Sequence, residues 1–168
     1  RKDLHLLHNW QINEQFSTNL DYNYASDKDY FTDLNNNPNS KTDLNLRRAW
    51  ELNYKNGIPG LKAQLKVENF QTLDKTVSDE DRPYARLPQF LLNYKTGNPL
   101  GLQYEFNHDT AYFKKDISDA TNGTSTTFEP SGTRIYNDFA VRYNYRNPWS
   151  FVIPEVSIRN VNTFYDQD

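Results

Sequence analysis

Cysteine and methionine are both absent from this 168-residue chain. Without cysteine there is neither a disulfide framework nor a thiolate-bound metal. An excess of one charge is lacking too, since 19 basic and 22 acidic residues leave a net −3 spread along the chain. A nucleic-acid binder concentrates basic residues on one face, so that class is set aside. No apolar run approaches the roughly 20 residues of a membrane-spanning helix. The opening Arg1-Lys2-Asp3 is no signal peptide. The closing Phe164-Tyr165-Asp166-Gln167-Asp168 reads as the start of a loop.

Hydrophobic residues make up only 36 % of the chain, poor for a conventional buried core. A disordered chain would be as polar but would also lack aromatics. Here 12 Tyr, 10 Phe and 3 Trp are present, so the chain folds. Few aliphatics, many aromatics and abundant Asn, Asp and Thr favour an all-β class.

Alternation with period two runs through most of the sequence. Leu4, Leu6, His8, Trp10 and Ile12 share one face of a first strand, with Leu7 out of pattern. Phe16, Thr18, Leu20, Tyr22 and Tyr24 mark a second strand. Leu44, Leu46, Trp50, Leu52 and Tyr54 mark a third, in which Arg48 breaks the rule. Leu61, Ala63, Leu65 and Val67 follow, then Phe90, Leu92 and Tyr94, then Leu100, Leu102, Tyr104 and Phe106. Phe139, Val141, Tyr143 and Tyr145 give a seventh strand, and an eighth is expected from about Trp149 to Asn160.

The connections alternate in length. Short turns fall near 13–15, 56–60, 95–99 and 146–148, and long polar loops near 25–42, 71–86 and 114–133. A soluble sandwich has no reason to gather every tight turn at one end. An outer-membrane barrel has one, because its periplasmic turns are short and its extracellular loops long. Strands of about ten residues, tilted near 45°, also suit the thin apolar band of that membrane.

The second face of these strands is polar, and a dry core of unpaired polar groups would cost several kcal/mol per group. It therefore faces water or a polar partner. Asp21, Asn23, Arg47, Glu51, Lys66, Glu68, Glu105 and Arg142 are the candidates for lining a lumen or touching a plug. Tyr22, Tyr24, Trp50, Tyr54, Tyr94, Tyr104 and Trp149 are candidates for aromatic girdles at headgroup level; ordinary cross-strand pairing is the alternative. The expected architecture is all-β: about eight antiparallel up-and-down strands of a transmembrane β-barrel, forming part of a larger barrel.

Several motifs carry a resemblance. They are the pair Leu4-His5-Leu6-Leu7-His8-Asn9 and Asn19-Leu20-Asp21-Tyr22, and the loop Ala25-Ser26-Asp27-Lys28-Asp29-Tyr30-Phe31-Thr32-Asp33-Leu34. Arg86-Leu87-Pro88-Gln89 and Ile153-Pro154-Glu155-Val156-Ser157 follow in order. Together they make residues 1–168 resemble a segment of the barrel domain of the LptD family, also called organic-solvent-tolerance proteins. The resemblance implies insertion of lipopolysaccharide into the outer leaflet of the outer membrane, with no enzymatic step and no cofactor. It implies a barrel far larger than eight strands, preceded by a periplasmic β-jellyroll domain. The implied partners are lipopolysaccharide, the plug lipoprotein LptE, outer-membrane lipids and, through a domain outside this segment, the bridge protein LptA.

Other chemistry is thin. His5 and His8, three apart in a strand, fall on opposite faces and cannot share a metal. His108-Asp109 offers a base and a carboxylate but no nucleophile motif accompanies it. Asp27, Asp29 and Asp33, with Tyr30 and Phe31, form an acidic surface loop that lacks the central Gly and terminal Glu of an EF-hand. A solvated loop is the plain reading and weak divalent-cation binding the sharper one. Asn122-Gly123-Thr124 matches a glycosylation sequon but in a bacterial barrel marks only a loop tip. Two other functions compete: a small self-contained barrel acting as anchor or adhesin, and a soluble carbohydrate-binding β-domain.

Overall fold

The computed structural model describes residues 2–27, 45–73, 77–78, 81–115 and 130–166. Its main element is one antiparallel sheet of eight strands. They are β1 (Asp3–Gln11), β2 (Phe16–Ala25), β3 (Asn45–Tyr54), β4 (Leu61–Thr72), β5 (Ala85–Gly97), β6 (Leu102–Lys114), β7 (Gly132–Tyr143) and β10 (Glu155–Tyr165). Each strand pairs with its neighbour in the chain, in the order β1-β2-β3-β4-β5-β6-β7-β10. This is the all-β, up-and-down arrangement that the alternation and the short turns predict. The sheet is open, with β1 and β10 at its edges.

The eighth strand differs from expectation. After Tyr143 the chain makes a small separate hairpin, β8 (Tyr145–Arg146) and β9 (Phe151–Val152), before β10 begins at Glu155. Proline explains the delay, since Pro148 and Pro154 carry no N–H and cannot donate to a ladder. Pro154 still accepts from the Tyr143 amide at 3.0 Å, so pairing resumes at the next residue. Strand β10 then continues through Tyr165, where the sequence reading places a loop.

Asparagine closes three of the short connections, as its side chain readily does in turns. The Asn13 Oδ1 accepts from the amides of Gln15 (2.9 Å) and Phe16 (2.8 Å). The Asn98 Oδ1 accepts from those of Leu100 and Leu102, and the Asn147 Oδ1 from those of Trp149 and Ser150. Between β3 and β4 the left-handed Asn56 (φ 62°) and Gly60 (φ 78°) reverse the chain instead.

Register fixes which side chains share a face. Tyr22, Arg48 and Asn69 lie side by side, as do Leu20, Trp50 and Val67, and Thr18, Leu52 and Leu65. That face is apolar and open: Leu6 is 46 % exposed, Trp10 56 % and Ile158 68 %. Among the described residues the buried hydrophobics are few and mostly small, such as Ala49 and Ala111. A sheet one layer thick has no second layer against which to bury its apolar face.

Candidate functional site: the polar face

The opposite face carries a continuous network of charged and amide side chains. Its centre is Glu68 on β4, the most enclosed carboxylate described, at 4 % exposure. Arg47 on β3 donates from Nε to Glu68 Oε1 at 2.7 Å, and the Lys66 ammonium lies 2.9 Å from Oε2. Arg86 on β5 reaches the same Oε2 at 3.2 Å. Arg47 also contacts Glu51 (3.1 Å) and Asp21 (3.3 Å). Asn23 donates to Asp21 (2.8 Å) and to the Arg47 carbonyl (2.7 Å), and its Oδ1 meets the ring of His5. Ala49 sits directly opposite Glu68, and its lack of bulk leaves room for these converging chains.

The network continues across the sheet. Gln64 donates to Asn53 at 2.7 Å, and Asn93 to Asn107 at 2.6 Å. Asp109 accepts from Gln89 (2.9 Å) and from Arg134 (3.4 Å). Lys95 pairs with Glu105 (3.3 Å), Arg142 with Glu155 (2.6 Å) and Arg159 with Asp138 (3.4 Å). Acid and base thus alternate from strand to strand, the arrangement cross-strand pairing favours. The hollows of the sheet lie on this side. One of about 690 Å³ is lined by Asn53, Gln64, Asn93, Asn107, Asp109 and Tyr136 among others. A second, of about 230 Å³, is lined by Asn19, Asp21, Arg47 and Glu51 among others.

All eight candidates for the inward face therefore stand on one side, six of them in the Glu68 cluster. Glu105 and Arg142 belong to separate pairs nearer the short turns. Sequence reasoning did not name Arg86, Gln89, Asp109, Arg134, Asp138 or Arg159 among the candidates for the inward face. For most of these, strict alternation along β6, β7 and β10 was a sufficient signal. For Arg86 it was not, because β5 shifts register between Arg86 and Gln89, around the Leu87–Pro88 peptide.

The aromatic candidates divide by height. Tyr22 and Tyr24 stand at the long-loop end of β2, and Tyr54, Tyr94 and Tyr104 stand near the short-turn ends of their strands. Tyr54 packs on Phe16 with ring centroids 5.1 Å apart. Trp50 sits in the middle of β3, next to Leu20 and Val67. Trp149 lies at the tip of the β8–β9 hairpin, 94 % exposed. Asp27 lies two residues beyond the end of β2, while Asp29, Tyr30, Phe31 and Asp33 lie outside the described residues, as does Asn122. His108 and Asp109 point to opposite faces, His108 to Asn137 and Asp109 to Gln89. Among the described residues, no three His, Asp or Glu side chains form a cluster suited to a metal.

An open sheet with one apolar and one ion-paired face, and with its tight turns at one end, is the wall of a transmembrane β-barrel. The family described as LPS transport system D matches residues 1–168. The chain is 74 % identical, over its whole length, to the LPS-assembly protein LptD of Acinetobacter baylyi, and 73 % to that of Acinetobacter baumannii. The corresponding protein of Psychrobacter cryohalolentis is 36 % identical over 178 aligned residues. The chain belongs to this family of transport and assembly proteins. It spans about a fifth of the length of these curated relatives (20, 20 and 17 %).

Proposed function

We propose that this segment is one wall of an outer-membrane translocon that inserts lipopolysaccharide into the outer leaflet. The observation that carries the reading is the two-sided sheet, apolar outward and ion-paired inward, in a chain whose whole length matches the LptD family. Residues 1–168 form one stretch of the barrel domain, with the short turns toward the periplasm and the long loops toward the cell surface. The polar face lines a hydrated interior and offers matched donors and acceptors to the plug lipoprotein LptE. LptA delivers lipopolysaccharide through a domain outside this segment, and outer-membrane lipids cover the apolar face. The wall acts by holding shape and polarity, and no bond is made or broken by it.

The competing readings have less support. A self-contained anchor needs a closed barrel, whereas this sheet has two edges. A soluble carbohydrate-binding domain would leave Trp10, Ile158 and their neighbours in water. The test uses the full-length parent chain carrying a photoreactive amino acid at Glu51 or Asp109 (inward) or at Leu52 (outward). Inward probes are expected to crosslink the plug lipoprotein, and the outward probe only lipid. In parallel, depletion of the parent protein is expected to lower surface lipopolysaccharide. Equal crosslinking from both faces, or unchanged surface lipopolysaccharide, would overturn the reading.

A further inference from the structure

Arg48 is the one charged side chain that the described strands place within the apolar face, apart from Lys114 at the last position of β6. Its neighbour in sequence, Arg47, meets three carboxylates on the other face. Arg48 meets none among the described residues. Its Nε donates to the Asn23 carbonyl at 2.9 Å and its Nη2 to the Gln71 Oε1 at 2.5 Å. Gln71 is itself held by the backbone of Ala25, accepting from its amide and donating to its carbonyl. The guanidinium carbon lies 5.4 Å from the ring centroids of both Tyr22 and Tyr24. A guanidinium has five N–H groups, and two are used here. The remaining three belong to a cation whose plane is already fixed by the sheet.

Its height matters. Tyr22, the partner of Arg48 across β2, stands six residues above Phe16, which packs on Tyr54 at the short-turn end. That is roughly 20 Å along the strand, or about 15 Å of height at a tilt near 40°. The guanidinium reaches further, to the level of Tyr24 and of Gln71 on the Ala25 backbone at the end of β2. That level is about 20 Å above Phe16, most of the roughly 25 Å apolar band. An uncompensated arginine at mid-membrane is costly, and at the interface it is nearly free. The long-loop rim is also where anionic headgroups stand.

We propose that Arg48, framed by Tyr22, Tyr24 and Gln71, is an outward-facing site for the phosphate of a lipid headgroup in the leaflet at the long-loop rim. This rests on the outer-membrane reading above, in which that lipid is lipopolysaccharide. Arginine suits the task because its fork matches two phosphate oxygens at once, and the flanking rings shield the pair from water. The site would hold newly inserted lipid against the outside of the wall, away from the lumen.

The experiment is native mass spectrometry of the full-length parent barrel titrated with phosphorylated lipopolysaccharide, with enzymatically dephosphorylated lipopolysaccharide, or with phosphatidylglycerol. Wild type is expected to retain one more phosphorylated lipopolysaccharide molecule than R48Q does. Affinity at that site should fall roughly tenfold or more, the scale of one charge-assisted pair. Arg48→Lys keeps the charge and the fold but loses the fork, and should fall between the two. Dephosphorylated lipid should not fill the site, and equal retention of phosphatidylglycerol would identify any phosphate headgroup as the ligand, overturning selectivity for lipopolysaccharide. Unchanged retention by R48Q and Arg48→Lys, in barrels that still migrate as folded in unheated gels, would overturn the proposal. Wild type that binds no lipopolysaccharide at all would overturn the translocon reading instead.

Discussion

Arg86 reaches the Glu68 carboxylate at 3.2 Å because β5 carries one more residue than β4 and β6 between Arg86 and Gln89. Along β5 the odd-numbered residues Gln89, Leu91 and Asn93 face the polar side. Strict alternation would therefore send Arg86 to the apolar side. The extra residue is a β-bulge, which reverses the parity of everything before it. It falls at Pro88, which has no N–H to offer the ladder.

Glu68→Gln is expected to destabilise the parent barrel by about 2–3 kcal/mol. Removing one member of a buried pair costs about 3–5 kcal/mol. Here the figure is discounted because Arg47 and Arg86 remain 38 % and 41 % exposed and can be rehydrated. Glu51→Gln, which removes a single partner of a part-exposed arginine, should cost under about 1 kcal/mol. Urea titration read by heat-modifiable gel migration orders the two. Equal midpoints would show that the Glu68 cluster has no special weight.

Deleting Leu87 tests the bulge. With one residue fewer, Arg86 stands two places before Gln89, so plain alternation keeps it on the polar face opposite Glu68. The expected result is a deletion variant that retains the Arg86–Glu68 contact, in which adding Arg86→Gln costs about as much as it does in wild type, about 1 kcal/mol or less. A deletion variant in which Arg86→Gln costs nothing would show that the bulge itself is needed to place Arg86.

Most of the sheet was legible in the sequence because alternation is a local signal that needs no knowledge of partners. Leu7 and Arg48 show how far it goes. Both interrupted the pattern when read as sequence, and both follow strict backbone parity, Leu7 to the polar face and Arg48 to the apolar one. The convergence of Arg47, Lys66 and Arg86 on one carboxylate was not legible. It depends on the register of three separate strands and on a bulge. The start of β10 was missed for a similar reason: Tyr145, Phe151 and Val152 have strand composition, yet they belong to a separate hairpin in which Tyr145 pairs with Val152 and Arg146 with Phe151.

The turn between β3 and β4 makes a sharper prediction about glycine. Gly60 has φ +78°, and a Cβ there would lie 1.8 Å from the Lys95 carbonyl oxygen, part of the neighbouring backbone. Its own carbonyl accepts from the Lys95 amide at 2.9 Å, so the two chains cannot separate freely. Gly60→Ala should cost at least about 2–3 kcal/mol from the left-handed conformation and the overlap together. Gly57→Ala meets only the phenol end of Tyr54, which can swing aside, and should cost about 1 kcal/mol or less. Denaturation midpoints of the two variants, compared in the same detergent, check the difference.

The last prediction concerns a polar row in the apolar face. His108, Asn137 and Asn160 lie side by side near the middles of β6, β7 and β10. The His108 Nδ1 bonds the Asn137 Oδ1 at 2.7 Å, and its Nε2 accepts from the Thr110 hydroxyl at 2.7 Å. The rings of Phe90 and Phe106 flank the imidazole at 6.1 and 6.3 Å. Polar groups facing hydrocarbon are tolerable when they satisfy one another, and costly when one is left alone. His108→Phe should therefore destabilise the barrel by about 1–3 kcal/mol, and so should Asn137→Val, since each orphans the other partner. The double variant removes both and should lie close to wild type. The signature is thus a coupling energy of about 2 kcal/mol or more in a double-mutant cycle. Simple additivity of the two losses would show that the pair contributes nothing, and that the row is held by the sheet backbone alone.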